Sequence, residues 1–135
     1  MVRIEVAYQG ELRCEAVHGP SGTRLVTDAP VDNQGKGESF SPTDLVATGL
    51  GTCIATIMGI VARRDQIDLR GLRITVDKEM SADLPRRIVK LSTRIMMPTG
   101  LTDQQKTKLE KAEHNCPVHQ TLDREVDLPL EFVYP

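Results

Sequence analysis

The sequence predicts an α+β fold with its elements in the order βββ-α-ββ-α-α-β. Three observations carry that prediction. Apolar and polar residues alternate in the first third of the chain and again after Leu72, which is the period of a half-buried strand. The uncharged stretch from Leu45 to Ala62 is far too long for a strand. Helix starts are marked by capping residues at Ser41 and Thr102, and by Pro117. At 135 residues, 39% apolar and 27% charged, residues 1–135 are expected to form a single domain with a real core.

In "MVRIEVAYQG", Val2, Ile4, Val6 and Tyr8 alternate with more polar residues, which makes a first strand. Gln9-Gly10 suits a tight hairpin turn, and the next run puts Leu12, Cys14 and Ala16 on one face. "HGPSG" is a second turn, "TRLVTD" a third short strand, and "APVDNQGKGESF" (29–40) a polar, glycine-rich loop. Ser41 then serves as N-cap, Pro42 fits the first helical position and Asp44 the capping-box position. The helical pattern continues to about Arg64 or Asp65, a span of roughly 35 Å.

Two strands, "LRITVDKEM" and "RIVKLSTRIMMP", follow around a turn at "SADLP", with Val89, Leu91, Thr93, Ile95 and Met97 sharing a face. "LTDQQKTKLEKAEHN" is a second helix, capped by Thr102 with Gln105 in the capping-box position. Cys116-Pro117 interrupts it, and "PVHQTLD" starts a short third helix with Pro117 at its first position. The closing "EVDLPLEFVYP" places Val126, Leu128, Leu130, Phe132 and Tyr134 on one face, and Pro129 marks it as an edge strand.

The long helix is apolar nearly all round, whereas one sheet covers only one side of it. A second copy of the chain is the simplest cover, so a homodimer is expected. Its length also admits a membrane reading. Three glycines, three threonines and a cysteine make it a poor span, and no second segment supports one, so no membrane association is expected.

A net charge of −2 and a pI near 5.9 argue against a nucleic-acid partner. With only Tyr8, Phe40, Phe132 and Tyr134 as aromatics, there is little on which to stack bases or sugars. The opening residues lack the pattern of a secretory signal, so Cys14, Cys53 and Cys116 are expected to be thiols of a reducing, cytoplasmic compartment. No cofactor motif is present. His114, Cys116 and His119, even with Cys53 added, match no usual zinc spacing, so no metal is expected.

Each cysteine has a structural reading. Cys14 is expected to be a small core residue on a strand face. Cys53 lies about three turns into its helix, where it could be a core thiol. Its neighbours Gly49 and Gly51 are costly in a helix interior and mark a place that something must approach closely. At that depth the helix terminus offers it little, so an activating cation would have to come from elsewhere. Cys116 precedes a helix start, where free backbone N–H groups favour a thiolate. His114 and His119 read as surface or helix-end residues, with some scope for tuning Cys116.

"FSPTDLVATGLGTC", followed some sixty residues later by "AEHNCPVHQTL", resembles the OsmC/Ohr superfamily of thiol-dependent hydroperoxide reductases. The resemblance extends over nearly the whole chain. It implies an intertwined homodimer with a site at each subunit interface. It also implies Cys53 as the thiolate that attacks an organic hydroperoxide, and Cys116 as the thiol that resolves the sulfenic acid to a disulfide, which a dithiol then reduces. On that reading the thiol is a reagent and the glycines make room around it.

Well-studied members carry a Glu ten residues before the reactive Cys, paired with an activating Arg. Here that position is Thr43, with Asp44 beside it, and the nearest candidate for the Arg is Arg13. "SPTDL" is closer to the OsmC-like branch, for which a binding protein for a small apolar or sulfur-containing ligand and a thiol redox sensor are the alternatives. A cleft beside Cys53 would be lined by Leu45, Val46, Leu50, Ile57, Met58 and Phe40.

Overall fold

The computed structural model describes every residue from Met1 to Pro135, and the elements come in the expected order. They are β1 (Ile4–Gly10), β2 (Arg13–His18), β3 (Arg24–Thr27), α1 (Pro42–Arg64), β4 (Arg73–Met80), β5 (Ile88–Met96), α2 (Asp103–Ala112), α3 (Pro117–Leu122) and β6 (Leu130–Val133). Single turns of 3-10 helix at Val31–Asn33 and Glu113–Asn115 complete the list. The chain divides into two compact units, Met1–Val46 and Ala47–Pro135.

The first unit is an antiparallel meander, β1-β2-β3. Its first hairpin turns later than Gln9-Gly10 suggests. Gly10 pairs with Arg13, and the loop is Glu11-Leu12, with φ of 55° and 62°. That left-handed pair matches the twist of the flanking strands, and Gly10, at φ 86°, absorbs the register irregularity after Tyr8. Leu12 thereby leaves the strand face on which Cys14 and Ala16 sit. The loop at 29–40 is closed at its base where the Asp28 N–H donates to the Phe40 carbonyl at 3.0 Å. Within it Gly35 backs onto Ala29 so closely that a Cβ would fall 1.7 Å from the Ala29 oxygen. Both halves of the capping box then form: Ser41 Oγ accepts the Asp44 N–H at 3.1 Å, and Asp44 Oδ2 accepts the Ser41 N–H at 2.8 Å.

In the second unit β5 is central, antiparallel to β4 and parallel to β6. Pro129, which has no N–H to give, offers its carbonyl to the Thr93 N–H at 2.9 Å as the edge strand begins. Leu91, Thr93, Ile95 and Met97 are buried along one face of β5, as the alternation requires. α1 contributes a stripe of Ala47, Leu50, Ile54, Met58 and Ala62, and α2 adds Leu109 and Ala112. Gly51 lies against β4, where a Cβ would come 3.1 Å from Val76 Cγ2, so close approach of helix and strand explains this glycine. Gly49 meets nothing within 4 Å, and the same explanation does not extend to it.

α1 is long and apolar enough to cross a membrane by length and composition, yet its stripe belongs to this core. α2 starts with the full Thr102–Gln105 capping box. The chain end is held on α2, where the Tyr134 hydroxyl donates to Glu110 and Lys106 Nζ stands 4.7 Å from the Tyr134 ring centre.

Candidate active site

Cys53 and Cys116 both belong to the second unit, and Cys53 lies near enough to Cys116 to raise its pKa. Cys53 falls between the buried positions Leu50 and Ile54, so it sits at the edge of the stripe and is half-buried. Cys116 is placed by a tight sequence of turns. Its N–H donates to the Glu113 carbonyl at 2.9 Å, its backbone then extends, and Pro117 opens α3. As N-cap of α3 its Sγ accepts the His119 N–H at 3.4 Å, and the side chain is fully buried.

The backbone N–H groups expected to favour a thiolate at Cys116 do act in that direction, but they are outweighed. Burial and the hydrogen bond with Cys53 push the Cys116 thiol up from an ordinary 9.0 to about 11, and the His119 N–H, which acts the other way, does not offset them. Cys116 therefore keeps its proton at neutral pH. A half-buried sulfur with a protonated thiol at its side is an arrangement suited to oxidation followed by disulfide closure. The sequence joins these two cysteines through a family resemblance, and the fold brings them near enough for one to act on the other's pKa.

Cys14, expected as a small core residue, lies on β2 opposite Tyr8 and Thr27 and is half-buried. Arg13, at the start of β2, pairs with Glu38 and has Asp28 Oδ2 at 3.7 Å. Glu38 first, and Asp28 after it, raise the Arg13 pKa and hold the guanidinium charged. So the Arg has a carboxylate partner, but that partner is neither Thr43's position nor Asp44, which is occupied in the helix cap. Asp28 was recoverable in principle: the antiparallel register pairs Cys14 with Thr27, which brings Arg13 level with the residue that follows. Glu38, inside an irregular loop, left no periodic signal.

The histidines part company. His114 is 77% exposed, as expected of a helix end, whereas His119 is only 15% exposed and lies against the buried carboxylate of Glu113. The two atoms in contact are His119 Nδ1 and Glu113 Oε1, without the alignment of a hydrogen bond, and neither has a hydrogen-bond partner. His119 Nε2 is 3.6 Å from Asp123 Oδ1 and His114 Nδ1 is 3.8 Å from Glu113 Oε2. No three His, Cys, Asp or Glu side chains gather in a way that would hold a metal ion. Of the apolar residues expected to line a cleft, Leu50 and Met58 are fully buried core, while Leu45, Val46 and Ile57 are half-buried and Phe40 is exposed.

Comparison with known proteins identifies the family and the fold. No curated protein matches the sequence. Among solved structures, the chain is similar to a protein of Psychrobacter arcticus provisionally named for osmotic stress induction and the detoxification response. The two are 41% identical with a TM-score of 0.91, over 98% of this chain and 96% of the other. A Legionella pneumophila organic hydroperoxide resistance protein OsmC shares 19% identity and a TM-score of 0.77, covering 98% and 96% of the two chains. An organic hydroperoxide resistance protein of Elizabethkingia anophelis, with thiocyanate bound, gives 14% identity and a TM-score of 0.79 over 100% and 96%. The likeness to these two is one of fold. Residues 35–131 match the family model for OsmC-like proteins, and with that match the chain belongs to the OsmC-like family of the OsmC/Ohr superfamily.

Proposed function

We propose that the protein reduces organic hydroperoxides through Cys53 and Cys116. The observation that carries this is the nearness of two unlike thiols, Cys53 half-buried and Cys116 fully buried with its pKa raised by burial and by Cys53. The Cys53 thiolate attacks the peroxide O–O bond, which breaks to give Cys53 sulfenic acid and an alcohol. The Cys116 thiol then displaces the hydroxyl group as water and forms the disulfide, and a dithiol returns both sulfurs to thiols. Arg13, held charged by Glu38, is the candidate for the cation that the family chemistry employs. No metal or cofactor enters this scheme, and the cytoplasm is its setting.

The rate at which Cys53 is oxidised by an alkyl hydroperoxide, against that for hydrogen peroxide, tests the reading in stopped flow. A four-carbon tail packed on aliphatic side chains contributes roughly 3 kcal/mol, near a hundredfold in rate. Equal rates, both no faster than a free thiol at the same pH, would replace the peroxidase with a ligand-binding protein.

The working assembly is an intertwined homodimer. Ile4, Val6 and Tyr8 on one face of β1 are 55%, 65% and 67% exposed, and Ile60 on α1 is 58% exposed, which is a large apolar surface to leave in water. Light scattering at micromolar concentration is expected to give twice the chain mass of 14.9 kDa, and a stable folded monomer would remove the dimer from the proposal.

A further inference from the structure

α3 is six residues long and contains no buried residue, so its cap and its ties to the preceding turn are what hold it. Pro117 has no N–H, and the N–H groups of Val118 and His119 are the ones that the start of the helix leaves unpaired. Both act on the Cys116 sulfur, that of His119 as a hydrogen bond at 3.4 Å. The cap of this helix is therefore one of the two thiols that oxidation consumes. Two ties hold α3 independently of it. The His119 ring lies against the buried Glu113 carboxylate, and Gln120 Nε2 donates to the His114 carbonyl at 2.8 Å. Both run to the turn before Cys116, and neither involves the sulfur.

We propose that closing the Cys53–Cys116 bond uncaps α3, and that the opened first turn lets a reducing dithiol attack the Cys116 sulfur. The two cysteines are free thiols here, so forming the bond replaces a non-bonded approach and draws the Cys116 sulfur towards Cys53. The His119 N–H can follow that sulfur only if α3 moves, and its ties to Glu113 and His114 resist the move. The cap gives way instead, and a helix this short opens once its cap is lost. Cys116 has no exposed surface, so a reductant has no way to it while the turn is closed. It is also the better sulfur to attack. Attack there releases Cys53, whereas attack on Cys53 must expel Cys116, whose thiol, pushed up to about 11 by burial and by Cys53, is a poor leaving group. One reductant sulfur bonds to Cys116 as the Cys53–Cys116 bond breaks and Cys53 leaves as a thiolate. The second reductant sulfur then displaces Cys116, the reductant is oxidised to its own disulfide, and its two protons end on Cys53 and Cys116. The account rests on the Cys53–Cys116 pairing of the proposed function, but not on a hydroperoxide as the oxidant.

The test forms the disulfide with diamide, a thiol oxidant, in the full-length protein carrying Cys14→Ser. Amide hydrogen exchange is followed at His119, Gln120 and Asp123, whose N–H groups bond to Cys116 Sγ, the Cys116 carbonyl and the His119 carbonyl. All three are expected to exchange at least about tenfold faster in the disulfide than in the dithiol form, while Leu109 of α2 stays within about twofold. In Cys116→Ser the hydroxyl keeps the cap and no bond can close, so diamide is expected to leave the same three amides unchanged. A second measurement finds the sulfur under attack. The disulfide protein is mixed with a limiting monothiol and quenched in acid, and the adduct, mapped by peptide mass, is expected on Cys116.

Exchange in α3 that is the same in both forms overturns the proposal, and so does an adduct found on Cys53. A rise in Cys116→Ser, or one that spreads equally through α2, overturns it as well, because the loosening would then owe nothing to the cap. If diamide closes the bond and α3 opens, while alkyl hydroperoxides leave both thiols reduced, the peroxidase reading fails and this proposal stands. If diamide closes no bond between Cys53 and Cys116, the pairing and this proposal fall together.

Discussion

On the proposed peroxidase reading, Cys53→Ser is expected to remove turnover of an alkyl hydroperoxide altogether, while Cys116→Ser is expected to consume one equivalent and stop. Both outcomes follow from the unequal settings of the two sulfurs. Cys53 is the half-buried member and so the one a peroxide can reach. A serine hydroxyl in its place is far too weak a nucleophile at neutral pH to open an O–O bond. Removing Cys116 leaves that first attack intact but leaves nothing to displace the hydroxyl of the sulfenic acid. Turnover with a dithiol measures the first variant, and the mass of a trapped sulfenic acid adduct measures the second. Residual turnover in Cys53→Ser above that of the dithiol alone would mean that another thiol carries the reaction. A disulfide formed by the Cys116→Ser protein within one chain would have to involve Cys14, and would point the same way.

The second large effect is on stability. Ile54→Ala is expected to cost about 2–5 kcal/mol, through lost burial and the cavity left behind. Ile54 has no exposed surface and lies in the middle of the α1 stripe, between Leu50 and Met58, which are also fully buried. Against a total of about 5–15 kcal/mol for a domain, that loss is a large share and lowers the urea midpoint accordingly. Because Ile54 neighbours Cys53, the thiol pair should also loosen, so aryl disulfide reactivity serves as a second readout. A change below about 0.5 kcal/mol, the usual range for surface positions, would contradict its place in the core.

Much of this structure was legible because its signals are local. Ser41, Pro42 and Asp44 announce α1, Thr102 and Gln105 announce α2, and the structure closes both capping boxes. Alternation along β5 names its buried face, and Pro129 marks the edge strand. What escaped depended on contacts that no short window contains. The first hairpin turns at Glu11-Leu12 because register and strand twist outweigh the glycine that precedes them. Glu38 reaches Arg13 from an aperiodic loop. Cys116 sits at a helix start that would favour a thiolate, yet burial against Cys53 decides its protonation. Glu113 is buried by the single turn of 3-10 helix that it opens after α2, which no local pattern announces.

The two sheets differ in how far apart in sequence their partners lie, and that difference sets an order of events. The β1-β2-β3 meander joins strands separated by short turns, so each pairing closes a small loop soon after its residues are available. The β5–β6 ladder brings together residues 37 apart, such as Arg94 and Glu131, with α2 and α3 in between. Loop-closure entropy delays such a pairing until the intervening helices have shortened the path. The Cys53–Cys116 contact depends on the same intervening segment, with Cys116 directly before α3. The two thiols thus come together late in folding, and the earliest collapsed chain carries three separate, unguarded sulfurs.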